Sequence, residues 1–336
     1  MALRPQPVQQ VLVFPRFRNA VCFPDSLQCD FVNRTGRQHE LEPTPTDVSV
    51  VLRASAQIGE GPVWDARTQR LYWVDIVGRQ LQVFNPSDGT NMTHACPDIV
   101  TSVSPRAAGG VLLTLRRSFA LFDEATGRFD TIADVEPDMP GNRFNDGKTD
   151  RRGRHWAGTM GDIDWNHPIG NLYRFGLDRR PVRMAERIRC SNGIAWSPDD
   201  RTMYFCESFA YVIHAYDFDA VSGEIENRRL FATVDAASGS FPDGITVDAE
   251  GFVWCAQPVF GRLVRYDPTG RIERIIALPV SRGTSVMFGG RELSTLYITT
   301  MRTTLDERQL AEEPLAGCLL AMAPGVRGLA ETPFAG

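Results

Sequence analysis

The sequence predicts an all-β protein, a six-bladed β-propeller, and three observations support this prediction. Short runs of Val, Ile, Leu, Phe, Tyr and Trp alternate with turns rich in Asp, Pro and Gly from residue 47 onward. No long amphipathic helical pattern interrupts these runs before residues 305–315, which argues against a parallel α/β sheet. A unit of roughly 40 to 50 residues also recurs along the chain, as it does in propellers.

The repeated unit consists of a polar residue, a glycine, a polar turn and an aromatic strand. Four strong copies begin at Glu60-Gly61, Asp146-Gly147, Asn192-Gly193 and Asp243-Gly244. Two weaker copies begin at Thr101-Ser102 and Gly283-Thr284. Near-equal units of about four short strands favour a closed ring over a two-sheet sandwich. We expect residues 48–53 to pair with residues 318–321, because that pairing would hide the strand edges where the ring closes.

Composition narrows the class of protein and of partner. The chain has 336 residues, of which 43% are hydrophobic and 23% charged, as in soluble globular proteins. The net charge of -5 and the lack of a basic run argue against a nucleic-acid partner. No apolar run approaches the roughly 18 residues of a membrane span. The seven cysteines are scattered without a CxxC pair, so we expect reduced thiols and a cytoplasmic protein.

Residues 1–46 differ from the remainder of the chain. They are rich in Pro, Gln and Arg and show no sustained hydrophobic period. We expect a disordered extension here, followed by a single propeller domain at residues 47–336. A targeting segment and a start codon placed too early are the alternatives.

The stretch from Arg143 to Lys148 combines a guanidinium, an amide, a carboxylate and an ammonium. By itself it is typical of a solvated turn, because Asn, Asp and Gly tolerate the left-handed conformation. Its recurrence in other repeats suggests a site instead, since equivalent positions of the blades converge at the propeller axis.

The convergent set is expected at one mouth of the central channel, and it consists of Glu60, Asp146, Asn192 and Asp243. Crowded carboxylates are unfavourable unless a cation neutralises them. Oxygen donors alone suit Ca²⁺, Mg²⁺ or Mn²⁺. The sequence therefore predicts a metal site at this mouth. The alternative is that each residue only makes the turn into its strand.

The chain also resembles the gluconolactonase/regucalcin (senescence marker protein) family of sugar lactonases. The matching stretches are residues 59–64, 143–148, 157–160, 191–197, 242–245 and 288–290. They follow in collinear order over about residues 50–302, and residues 1–46 lie outside the resemblance. The C-terminal residues 314–336 look like the ending of bacterial aldonolactonases of this family.

The resemblance implies a six-bladed propeller with one divalent ion at the channel mouth. It implies ligation by Glu60, Asn192 and Asp243, with Ca²⁺ as the first expectation and Zn²⁺ or Mn²⁺ also accepted in the family. It places Arg143 and Asn145 on the oxygens of the substrate, and Asp162 in the lining of the pocket. Asp146 then becomes a supporting residue behind the ligands.

The implied activity is metal-dependent hydrolysis of a sugar (aldono-) lactone to the aldonic acid, without a required protein partner. In this mechanism the ion acts as Lewis acid, Asp243 as general base, and Arg143 stabilises the oxyanion. The alternatives are a non-catalytic calcium-binding propeller and a metal-dependent esterase or phosphotriesterase. Arg143 and Asn145 favour an enzyme, because a pure calcium site needs no guanidinium. The insertion at residues 163–168 leaves the sugar open.

Overall fold

The structure is a computed structural model that describes residues 47–165 and 167–336. These residues form six antiparallel sheets of four strands each. The all-β, six-bladed propeller predicted from the repeat is therefore confirmed. The expectation for residues 1–46 lies outside the described residues.

The first strand, β1 (Ser49–Leu52), belongs to the last sheet. The first sheet contains β2 (Gly59–Asp65), β3 (Arg70–Asp75), β4 (Gln80–Asn85) and β5 (Thr90–Ala95). The second contains β6 (Val100–Pro105), β7 (Val111–Leu115), β8 (Ser118–Asp123) and β9 (Arg128–Asp134). The third contains β10 (Asn142–Thr149), β11 (His155–Gly161), β12 (Gly170–Phe175) and β13 (Pro181–Ile188).

The fourth sheet contains β14 (Ser191–Trp196), β15 (Thr202–Glu207), β16 (Val212–Phe218) and β17 (Ile225–Thr233). The fifth contains β18 (Ile245–Val247), β19 (Val253–Gln257), β20 (Arg262–Tyr266) and β21 (Ile272–Ala277). The sixth contains β22 (Gly283–Gly289), β23 (Thr295–Thr300) and β24 (Leu319–Met322), with β1 at its edge. Short 3₁₀ turns occur at Ser208–Ala210 and Ala236–Ser238. The helix α1 (Glu307–Glu312) is shorter than the sequence pattern suggested.

The ring is closed by strands from the two ends of the described chain. In the antiparallel pair of β1 and β24, Val50 lies opposite Leu320 and Ser49 opposite Ala321. This confirms the predicted closure. The stacked rings of Trp64 and Tyr297, with centroids 5.9 Å apart, join the first and last blades.

The apolar core lies between successive blades. Separate clusters of buried side chains join the second blade to the third, and so on around the ring to the sixth and first. Both faces of each sheet are therefore covered, and the strands contain nearly continuous apolar runs. The described cysteines Cys96, Cys190, Cys206, Cys255 and Cys318 are buried and free.

The innermost strands β2, β6, β10, β14, β18 and β22 contact each other around the axis. Most of them have an irregular register near the start, where one or two extra residues oppose the second strand. A bulge bends a strand and redirects a side chain. In the described part of the chain, no helix is long and apolar enough to cross a membrane.

Candidate active site at the channel mouth

In three of the four strong copies, the residue before glycine lies where the register of the inner strand shifts, and Asp243 lies just before its strand. Asp146 is in the middle of β10, where the register shifts between Phe144 and Asp146. The turn suggested by the Arg143–Lys148 stretch alone is therefore wrong. The glycine that follows has a steric role. A Cβ on Gly193 would lie 2.6 Å from the Asp243 carbonyl oxygen, so a larger residue would keep the fourth and fifth blades from approaching so closely.

The carboxyl groups of the repeat lie close enough to affect each other's pKa. Burial, then the charges of Asp243 and Asp146, raises the pKa of Glu60. Burial and the neighbouring Asp146 likewise raise the pKa of Asp243. Burial raises the pKa of Asp146 to about 6, although its carboxylate accepts the Gly147 N–H at 2.6 Å. The three carboxyl groups of the repeat therefore act on one another electrostatically.

Two buried oxygens at this cluster fit the requirements of a cation. Asn192 Oδ1 and Asp243 Oδ1 accept no hydrogen bond from the described residues. Asn192 is fixed by its other amide atom, because Nδ2 donates to Ser208 Oγ at 3.0 Å. A buried acceptor without a donor is unfavourable unless an ion or water satisfies it. These residues therefore fit a hard divalent ion.

The candidate metal-ligand set needs the Asn192 amide in addition to carboxylates. Within residues 47–165 and 167–336, no three His, Cys, Asp or Glu side chains meet in a group that could hold a metal by themselves. The set of Glu60, Asn192 and Asp243 contains only two carboxylates. Asp146 accepts the N–H of Gly147 just as Glu60 accepts the N–H of Gly61, so the supporting position expected for Asp146 stays a prediction.

Arg143 is a buried guanidinium held on several sides. Its Nη1 donates to Asn145 Oδ1 at 2.8 Å and to the Phe144 carbonyl at 2.9 Å. Its Nε lies 3.1 Å from Asp162 Oδ1, an ion pair whose angle is poor for a hydrogen bond. Burial lowers the pKa of Arg143, and Asp162 offsets part of this effect. Nη2 donates to no acceptor among the described residues, so it is the nitrogen available for a ligand.

Asn145 and Asp162 orient this arginine. Asn145 Nδ2 donates to the Ser191 carbonyl at 2.8 Å, which leaves the second lone pair of Oδ1 for a ligand. Asp162 follows β11 and pairs with both Arg143 and Arg116. Its side chain is only 14% exposed.

Three supporting residues carried no signal in the sequence. Ser208 is fully buried and connects two blades, since it accepts from Asn192 and donates to the Pro242 carbonyl at 2.7 Å. Arg116 bridges Asp162 and Asp98. Ser and Arg are too common in loops for their roles to be found without the tertiary contacts.

Glu136 is the third of these residues, and it is a buried carboxylate in the loop before β10. It accepts hydrogen bonds from Asn142 Nδ2 (2.8 Å), Thr159 Oγ1 (2.8 Å) and Tyr173 Oη (3.0 Å), and from Asn171. Its φ of 52° is unusual for a residue other than glycine. Asn142 directly precedes Arg143, so the carboxylate fixes the start of the strand that carries the guanidinium.

The channel below the cluster is nearly filled. A cavity of about 10 Å³ lies among Asp146, Lys148 and Ser285, enough for a single water at most. Lys148 Nζ pairs with Glu331 Oε1 at 3.0 Å, and its charge offsets part of the rise in the pKa of Asp146. A ligand therefore reaches the cluster from the mouth and not through the ring.

A larger cavity, about 380 Å³, lies at the opposite end of the third and fourth blades. Its arginines include Arg154, which pairs with Asp150, and Arg174, which pairs with Glu224. The charges of Arg154 and Arg174 are therefore balanced, and none of the predicted site residues lines this cavity. The candidate site remains the mouth.

Comparisons with known proteins find similar sequences over most of this chain. The sequence profile of the family described as "SMP-30/Gluconolactonase/LRE-like region" matches residues 58–302. Regucalcin of Gallus gallus is 36% identical over 286 residues, which cover 83% of this chain and 95% of that protein. The 6-deoxy-6-sulfogluconolactonase of Pseudomonas putida is 37% identical over 289 residues, covering 85% of this chain and 98% of that protein.

A solved structure extends the likeness to the backbone. The calcium-binding protein regucalcin from Agrobacterium tumefaciens superposes with a TM-score of 0.83 and is 27% identical. The match covers 88% of this chain and 99% of that protein. Each of the six blades thus has a counterpart in a protein determined by experiment.

Proposed function

Since the chain belongs to the SMP-30/gluconolactonase/LRE-like family, we propose that it is a lactonase that hydrolyses a sugar lactone with a divalent ion at the channel mouth. The observation that carries the proposal is that a buried guanidinium, that of Arg143, occurs at the same mouth as two buried oxygens that accept no hydrogen bond, Asn192 Oδ1 and Asp243 Oδ1. Relatives that are named for lactone hydrolysis support the reaction type.

The ion would be held by Glu60, Asn192 and Asp243. When bound, it supplies Lewis acidity toward the lactone carbonyl and neutralises the carboxylates. We propose Ca²⁺ first, because the donors are oxygens only and a structural relative is described as calcium-binding. Zn²⁺ and Mn²⁺ are the other ions to test.

The reaction follows from the remaining groups. Asp243 accepts a proton from water, and the water oxygen forms the new bond to the carbonyl carbon. Arg143 Nη2 donates to the oxygen that becomes negative, and burial strengthens this interaction. The ring C–O bond then breaks, and the ring oxygen leaves as a hydroxyl after taking the proton. Asn145 and Asp162 keep Arg143 in place and contact the hydroxyls of the substrate.

Metal removal and one pair of variants test this mechanism. Treatment with EDTA should abolish hydrolysis of aldonolactones in a pH-indicator assay, and Ca²⁺, Zn²⁺ or Mn²⁺ should restore it. Asp243→Asn should lower kcat/KM by at least roughly 100-fold, as expected for a group that moves a proton. Full activity in metal-free protein or in Asp243→Asn would contradict the mechanism.

Asp248→Asn is the matched control for this experiment. Asp248 is also buried in the fifth blade, but it binds Trp254 and Arg265 away from the mouth. Its variant should lose stability and retain kcat/KM. Aryl esters and phosphotriesters belong in the same screen, because the competing esterase and phosphotriesterase activities would use the same mouth. Calcium binding without hydrolysis of any of these substrates would favour the non-catalytic propeller.

We also place the enzyme in the cytoplasm. The five free and buried cysteines support a reducing compartment, where thiols stay unpaired.

A further inference from the structure

A row of three aromatic side chains lies at the mouth end of the propeller. Trp165 stacks on Phe209, with ring centroids 5.6 Å apart and an angle of 13° between the planes. Phe209 meets Phe241 edge-on, at 5.7 Å and 68°. All three side chains are half-buried. The three loops that carry them come from different parts of the chain, and the row therefore exists only in the folded protein.

Each ring is next to a residue of the candidate site. Trp165 follows Asp162 by three positions, and its Nε1 donates to the Asp162 carbonyl at 3.3 Å. Phe209 directly follows Ser208, which holds Asn192. Phe241 precedes Asp243 by two positions.

The row follows the same arc of the ring as the polar groups below it. It runs from the loop after β11, past the end of β15, to the loop before β18. Asn145 and Asn192 lie on the inner strands of the third and fourth blades, and Asp243 lies two residues before the inner strand β18 of the fifth. The three rings and the three polar residues therefore lie on the same side of the mouth, with the rings above the polar residues.

Trp165 differs from the other tryptophans of the chain. The other five, Trp64, Trp73, Trp156, Trp196 and Trp254, are at most 4% exposed and belong to the core. A large ring left half in water loses part of the free energy that burial would provide. Sugar rings present C–H groups on one face, and an aromatic surface covers them well because both surfaces are apolar.

We propose that Trp165, Phe209 and Phe241 form an aromatic wall that packs against the C–H face of the lactone and selects deoxy sugar lactones over fully hydroxylated ones. This inference rests on the proposed function. The physical basis is that a hydroxyl directed at the wall loses water and gains no acceptor. Contact with one methyl group in an apolar site changes specificity by roughly 10- to 200-fold.

The first test compares glucono-1,5-lactone with 6-deoxyglucono-1,5-lactone, which differ in one hydroxyl. Phe209→Ala and Phe241→Ala should each raise KM for the deoxy lactone roughly tenfold and change kcat little, because the wall binds and does no chemistry. Phe129→Ala is the matched control. Phe129 in β9 has a half-buried ring that stacks on Phe122 of β8, and it lies far along the chain from the mouth loops. Unchanged KM in both wall variants, with stability lost as in the control, would show that the rings only pack the loops.

The second test does not need catalysis. Acrylamide quenching reports on Trp165, because the other tryptophans are buried. Calcium with 6-deoxygluconate should reduce quenching of the wild-type protein, and Trp165→Phe should remove the quenchable component. If no lactone is hydrolysed, the proposed function is wrong, but the quenching measurement still tests the aromatic wall. Protection of Trp165 supports it, and unchanged quenching in the presence of the acid overturns it.

Discussion

At the scale of single residues, buried polar groups at the mouth are held by hydrogen bonds and ion pairs, both to neighbours on the same strand and to residues in other loops. Arg143 depends on Asn145 and Asp162, and Asn192 depends on Ser208. Each of these contacts orients one donor or acceptor and leaves another free. Arg143 Nη2, Asn192 Oδ1 and Asp243 Oδ1 are what remains for ligands, and this is why we assign the chemistry to them.

Glu136 provides a prediction at this scale. Glu136→Gln should lower the free energy of unfolding by about 2–3 kcal/mol, because it removes the charge of an acceptor with several buried donors. It should also lower kcat/KM, since Asn142 no longer fixes the strand at Arg143. Urea unfolding and lactone kinetics measure the two effects. Glu124→Gln is the control, because Glu124 accepts a single hydrogen bond from the described residues, that of Tyr72 Oη at 3.0 Å. Equal losses in both variants would contradict the positioning role.

At the scale of the strand, the irregular register of the inner strands redirects the repeated polar side chains. A regular strand would alternate its side chains between two faces, but the bulge directs the residue before glycine toward the axis. The two weaker repeats also shift register at this place, and there they carry hydroxyl residues that bond within the protein. Ser102 Oγ lies 2.6 Å from Thr114 Oγ1 and 3.2 Å from His155 Nε2, and Thr284 Oγ1 donates to the Gly59 carbonyl.

His155 in β11 gives stability a pH dependence. Burial lowers its pKa to about 3, below the value of about 6.5 for an unfolded chain. The native state therefore binds fewer protons than the unfolded state between these values. The contribution of this histidine is complete above pH 6.5 and is lost as the pH falls toward 3, by about 1.4 kcal/mol per pH unit.

Urea unfolding of wild type and His155→Gln at pH 7.5 and pH 5 isolates this effect from the carboxylates. The variant should be less stable at pH 7.5, because Gln replaces contacts to Ser102 and Thr149. The difference should shrink by about 2 kcal/mol at pH 5. A constant difference across this range would show that His155 does not titrate as proposed.

At the scale of the molecule, closure of the ring joins the start and the end of the described chain. Val50 and Leu52 in β1 pack into the clusters of the last blade and of its boundary with the first blade. All described residues from Asp47 onward belong to one compact unit. The single domain at residues 47–336 stays a prediction that truncation can test.

Removal of residues 1–46 should leave Tm and kcat/KM unchanged, because the closing strand β1 begins at Ser49. Removal of residues 1–53 should destabilise the protein by roughly 4 kcal/mol, since several half-buried aliphatic side chains and the pairing with β24 are lost. Scanning calorimetry should show a fall in Tm of about 5 to 10 °C. Equal Tm values for the two truncated proteins would mean that β1 does not close the ring.

The sequence by itself determined the fold and predicted the place of the site. The recurrence of a polar residue before glycine predicted six blades, the closing strand, and the convergence of Glu60, Asp146, Asn192 and Asp243 at one mouth. The inferences about the blades and the closing strand succeed because equivalent positions of a repeat occupy equivalent positions around an axis, and the site at the mouth stays a prediction. Only the tertiary structure decided what supports the site: Ser208, Glu136, Arg116 and the aromatic wall. Their partners lie in other loops and other blades, so no local pattern records them.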